Sequence, residues 1–116
     1  VSDGTGSRLR RTEVHKFGGT SLGDAQRIAA SAELVRAAAE SARIVVVASA
    51  MAGVTDALVQ AASAAARGDR DEGLRLLAAI RERHETALAG LGVADPAELR
   101  AELCRIVAEL EDIVRA

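Results

Sequence analysis

The chain has 116 residues, the size of one domain, and its 15 basic and 17 acidic side chains leave a net charge of −2. With both signs spread along the sequence there is no basic patch for nucleic acid, and the single aromatic residue, Phe17, gives no platform for base stacking. A lone cysteine, Cys104, excludes an internal disulfide and a cysteine-built metal cluster, and no apolar run approaches the roughly 18 residues of a membrane span. The opening residues lack the apolar core of a signal peptide, so the default expectation is a cytoplasmic protein with no membrane partner.

Residues 1–12 are polar, basic and rich in glycine and serine, and read as a flexible leader; the globular part is expected over 13–116. Glu13–Phe17 is a strand candidate, carried by Val14 and Phe17 and stopped by Gly18 and Gly19. Leu22, Ala25, Ile28 or Ala29, Ala32, Val35 and Ala39 then recur at helical spacing, which predicts a helix from about Thr20 or Ser21 to about Glu40. RIVVVASA, Arg43 to Ala50, is β-branched without alternation and suits a parallel strand buried on both faces. A second helix is expected from Met51 to the break at Gly68. Strand, helix, strand, helix is a βαβ pattern, with parallel strands and a right-handed crossover.

The second half reads as two helices. Asp69 and Glu72 form a capping pair, after which Leu74, Leu77, Ile80, His84, Leu88 and Leu91 share one face. Asp95-Pro96-Ala97-Glu98 predicts another start, followed by a face of Leu99, Leu103, Ile106, Leu110 and Ile113 with Val107 and Val114 alongside. An antiparallel hairpin is expected. Two strands fall short of the four to six or so of an ordinary sheet, and Val45, Val46 and Val47 call for neighbours on both sides. The chain is therefore expected to be a fragment of a larger α/β domain, and its open strand edges to make it a homo-oligomer.

Ligands of open α/β sheets bind at the carboxyl ends of the strands, here KFGGTS and ASAMAGVT. Both stretches are rich in small and hydroxyl residues and both lead toward helices, whose N-termini favour anions. Gly18 and Gly19 would let a phosphate approach the backbone, and Lys16 adds a full charge. Neither G-x-x-x-x-G-K-[ST] nor G-x-G-x-x-G is present. Other residues read as structural. His15 points away from Lys16 by strand alternation, His84 packs on a helix seam, Cys104 is buried beside the last helix's apolar face, and Asp56 serves a helix N-terminus. Glu109, Glu111 and Asp112 form a solvated face.

VHKFGGTSL, Val14 to Leu22, resembles the N-terminal signature of aspartate kinases of the amino-acid-kinase superfamily, and SAMAGVTD, Ser49 to Asp56, resembles the family's second glycine loop. The wording is closest to the kinase half of bifunctional aspartokinase/homoserine dehydrogenases. The resemblance implies the N-terminal βαβα part of a three-layer sandwich, plus a helical hairpin. It implies transfer of a phosphoryl group from ATP, with Mg²⁺, to the side-chain carboxylate of L-aspartate, the first step toward lysine, threonine and methionine. By the same resemblance Lys16 is catalytic, and Lys16, Phe17, Gly18, Gly19, Thr20 and Ser21 line the phosphate site. Ser49, Gly53 and Thr55 fall where aspartate binds, and no metal ligand is assigned. The family's later elements, among them its nucleotide-base pocket and regulatory domains, have no counterpart here, so this chain alone is expected to be inactive. Two other readings stand: a glutamate or acetylglutamate kinase of the same superfamily, and a non-catalytic interaction module.

Overall fold

Two short strands set the frame. β1 (Thr12–Phe17) and β2 (Arg43–Ala48) pair in parallel with Thr12 opposite Arg43 and Phe17 opposite Ala48. A computed structural model of the chain describes residues 10–116. The leader expected over 1–12 therefore falls mostly outside the described residues. Its last part is tied down: Arg10 donates to the carbonyls of Ala39 (2.6 Å) and Ala42 (3.1 Å), and Thr12 already belongs to β1.

Between the strands lie a 3-10 turn (Gly19–Leu22) and α1 (Ala25–Ala38). The helix expected from Thr20 or Ser21 thus begins four or five residues later. The Asp24 side chain accepts from the Arg27 amide at 2.9 Å, capping the helix there, and the residues before it tighten into the 3-10 turn. The inward face of α1 differs too. Ala29, Ala32 and Ala39 are exposed, and Ile28, Ser31, Val35 and Ala38 turn inward, with polar Ser31 the most buried at 7 %.

β2 ends at Ala48, two residues short of the expected strand, and α2 (Val54–Ala66) follows. α3 (Arg70–Leu91) starts as the capping pair predicts, with the Asp69 side chain accepting from the Glu72 amide at 3.1 Å. It stops at Gly92, whose φ of 63° suits a residue without Cβ. α4 (Ala97–Arg115) returns antiparallel: a Cβ on Gly73, near the start of α3, would lie 3.0 Å from Val114 at the end of α4. Asp95 caps α4 by accepting from the Ala97 amide at 3.3 Å, and Pro96 sits at the N-cap just outside the first turn.

The core lies among the helices. Met51, Val54, Ala61, Leu77, Ile80, Ala87 and Val114 form one buried cluster, with Ile28, Leu58, Leu74 and Leu110 packed against it. The face of α4 is rotated from the expected one. Val107 and Val114 are buried, whereas Leu99, Ile106 and Ile113 are exposed. Cys104, expected to be buried, is exposed for the same reason. His84 packs as expected and bonds through Nδ1 with the Ile80 carbonyl at 2.8 Å.

The sheet departs most from expectation. Val45, Val46 and Val47 are 49 %, 49 % and 46 % exposed, because among the described residues the sheet ends at two strands. Cα partners in a parallel ladder share a face, so Val14 and Lys16 stand with Val45 and Val47 on an open side. Glu13, His15, Phe17 and Ile44 form the better-covered face. There Glu13 accepts from His15 Nε2 (3.0 Å) and Arg11 Nε (2.7 Å).

Two outcomes follow from this packing. A Cβ on Gly90 would lie 2.7 Å from the Cβ of Ala25, where α3 crosses the start of α1. Gly90→Ala gains about 1 kcal/mol of helix propensity but overpacks this crossing by roughly 1–3 kcal/mol, so urea denaturation should show a net loss. The second outcome concerns acid. Hydrogen bonds from His15 and then Arg11 hold Glu13 below its ordinary 4.5, and Glu33, Glu72 and Glu102 are lowered chiefly by hydrogen bonds from Arg36, Arg75 and Arg105. Carboxyls with depressed folded values stabilise above the unfolded value and lose that contribution as pH falls through the folded one. The urea midpoint should hold down to about pH 4.5 and decline below it, with the decline reduced by salt because these pairs face water.

Candidate active site

Parallel pairing puts the carboxyl ends of both strands at the same end of the sheet, and the last rung is the important one. The Ser49 amide donates to the Phe17 carbonyl at 3.0 Å, so the chain leaves β1 into Gly18 beside the point where it leaves β2 into Ser49. The two loops then touch. A Cβ on Gly19 would stand 3.3 Å from Ala52 Cα, 3.6 Å from Ala52 N and 3.7 Å from the Ala50 carbonyl. A side chain at Gly19 would push the Ala52 backbone a few tenths of an ångström away. Gly18 is different: nothing lies within 4 Å of a Cβ built on it, and its φ of −84° suits any residue. The space where its side chain would stand is open.

Lys16 is the penultimate residue of β1 and is exposed on the open face. Among the described residues no carboxylate lies within ion-pair distance of it. Phe17 faces the other way and lies 6.4 Å from the His15 ring centroid. Thr20 and Ser21 are in the 3-10 turn, closed by the Ser21 amide donating to Gly18 at 3.1 Å. The expected helix dipole at the first loop is not free, since the Asp24 carboxylate occupies the start of α1.

The second loop does open onto a helix start. Gly53 is the N-cap of α2, with φ of 84° and no side-chain cap. An L side chain there would cost roughly 1–2 kcal/mol. Thr55 is exposed in the first turn, beside Asp56. The Ser49 hydroxyl donates to the Ala50 carbonyl at 2.7 Å. The structure thus brings Gly18, Gly19, Ser49 and the Ala50–Gly53 loop together, with Lys16 one rung back and Thr55 one turn on.

Three side chains that the sequence reading passed over touch this arrangement. Arg27 Nη1 donates to the Thr20 carbonyl at 2.8 Å and Ser31 Oγ to the Ser21 carbonyl at 3.0 Å. Arg83, from α3, lies with Nη1 3.0 Å from where a Cβ of Gly53 would be. It also lines an open cavity of about 600 Å³ between α1 and α3, together with Met51, Asp24 and Glu82. Arg27 follows the glycine signature closely enough to invite attention; Ser31 and Arg83 carry no local signal. No three His, Cys, Asp or Glu side chains among the described residues converge as a metal site. No described helix is long and apolar enough to cross a membrane.

Two glycine loops thus meet at the ends of parallel strands, and a lysine with no carboxylate partner among the described residues stands one rung away. The profile of the Amino acid kinase family matches residues 11–111, nearly the whole described chain, and the chain belongs to that family. A search of curated protein sequences returned no match. Membership places the chain among ATP-using phosphotransferases.

The two glycines of the first loop should respond differently. Gly19→Ala forces its neighbours at Ala52 apart and should cost about 1 kcal/mol, whereas Gly18→Ala should stay within about 0.5 kcal/mol. Chemical denaturation of the two variants checks this. Equal losses would mean that Gly19 does not set the loop–loop contact.

Proposed function

We propose that this chain is the N-terminal part of an aspartate kinase catalytic domain, acting in phosphoryl transfer from ATP to the side-chain carboxylate of L-aspartate. The observation that carries the proposal is the seating of Gly19 against Ala52, which joins the two motifs of the aspartate kinase resemblance into one site. A free aspartate carboxylate, with a pKa of about 3.9, is already ionised at neutral pH and needs no general base. The chemical difficulty is to bring one anion onto another. Positive charge and positioning therefore supply the catalysis.

Each part of the chain has a role in that task. Lys16, unpaired by any described carboxylate, neutralises charge on the transferring phosphoryl group. Gly18 leaves its backbone open to the phosphates, and Gly19 holds the loop against the second one. Thr20 and Ser21 present hydroxyls nearby, and Phe17 anchors the strand end through its carbonyl bond to Ser49. Ser49, Gly53 and Thr55 contact aspartate, with Gly53 leaving the first turn of α2 open. Magnesium would arrive with the ATP phosphates and keep several of its waters, and no side chain of this chain is assigned to it. The whole enzyme is proposed to be a homo-oligomer, with the half-exposed valines of β2 covered by further strands.

In the full-length enzyme, Lys16→Ala should lower turnover roughly 10²–10³-fold with little change in thermal midpoint. Near-normal turnover would remove Lys16 from the chemistry. Thr55→Val in the same enzyme should raise the KM for aspartate and leave that for ATP nearly unchanged, and an effect confined to ATP would move Thr55 to the phosphates. Phosphorylation of glutamate in place of aspartate by the unaltered enzyme would assign it to another member of the family. The 116-residue chain by itself should release no ADP in the presence of aspartate.

A further inference from the structure

Ser31 is the one buried polar side chain among the described residues, 7 % exposed on the inward face of α1. A serine inside a helix usually returns its hydroxyl to the carbonyl four residues back in the same helix. Ser31 instead donates out of the helix, to the Ser21 carbonyl at 3.0 Å, ten residues earlier. One helical turn before it, Arg27 does the same, donating through Nη1 to the Thr20 carbonyl at 2.8 Å. Residues four apart share a helix face, so both bonds come from one side of α1. The start of that helix is itself fixed, because Asp24 caps it through the Arg27 amide.

Two consecutive carbonyls of the 3-10 turn are thereby held by α1. On its other side the turn is stopped by Ala52, 3.3 Å from where a Cβ of Gly19 would be. The turn is gripped from both sides. The grip engages only main-chain carbonyls, and the Thr20 and Ser21 hydroxyls are left without a protein partner among the described residues. A loop fixed through its carbonyls, with glycine amides and hydroxyls uncommitted, suits recognition of a phosphate, which accepts hydrogen bonds and donates almost none.

We propose that Arg27 and Ser31 are positioning residues of the glycine loop, holding Gly18–Ser21 in one geometry so that its free donors meet the phosphates of a nucleotide together. This rests on the reading of the loop as a phosphate site. Neither residue touches the phosphate. Preorganisation of this kind shows as affinity, since a loose loop must be ordered at the moment of binding.

The test uses the full-length enzyme, with amide hydrogen exchange and MgATP-induced amide shifts read in the same samples. Ser31→Ala and Arg27→Met should each speed exchange at Ser21 about fivefold, the factor one ordinary hydrogen bond supplies, while α3 amides keep their rates. Each should weaken the MgATP response at Gly18 and Gly19 by a similar factor. Ser31→Thr, which keeps a hydroxyl, should restore both, and Arg27→Lys should restore part. Unchanged exchange in both variants would overturn the proposal. So would faster exchange with an unaltered MgATP response, because the two bonds would then order the loop without serving a ligand. An unaltered full-length enzyme that exchanges slowly at Ser21 but shows no MgATP response at Gly18 and Gly19 would overturn the phosphate-site reading and the proposal with it.

Discussion

The contact between Gly19 and Ala52 is the constraint on which the rest of the site depends. It exists because β1 and β2 are parallel and in register, Phe17 against Ala48, so that both chains turn off the sheet at the same level. A register shift of one residue would carry Gly19 past Ala52 and turn Lys16 to the opposite face. The glycine pair, the lysine and the second loop are thus a single geometric statement made by one ladder of six rungs.

That ladder is not where the stability lies. The buried cluster runs through α2, α3 and α4, and Met51, in the loop that leads to Val54 at the start of α2, is its bridge to the sheet. Met51 and Val54 are 8 % and 5 % exposed, flanking Ala52 and Gly53. Two core anchors therefore hold Ala52, which faces the first loop, and Gly53, which meets Arg83. The site's second half is built on packing, and its first half on hydrogen bonds from α1.

The sequence reading recovered what depends on local chemistry or on period. The α/β order, the parallel pair, the Asp69 cap and the hairpin are of that kind, and so is the family, which the two glycine loops display directly. It failed where tertiary context decides. The start of α1 was placed too early because Thr20 and Ser21 are also good helix starters, and only the competition won by Asp24 settles the matter. The face of α4 was misjudged because isoleucines and valines lie on both sides of its seam, and period alone does not rank them. Cys104 followed that error. Ser31 escaped notice because an apolar-periodicity search has no place for a buried serine whose partner lies outside its own helix. Arg83 stood in a run of charges that reads as a solvated face.

α3 meets both loops from behind. At Gly90 it abuts Ala25, next to the cap of the helix that grips the first loop; at Arg83 it reaches Gly53, the hinge of the second. These two points lie seven residues apart, two turns along one rod of about 10 Å at 1.5 Å per residue. A substitution that shifts α3 would press on Ala25 and on Gly53 together, so this helix couples the supports of the two loops while lying behind both.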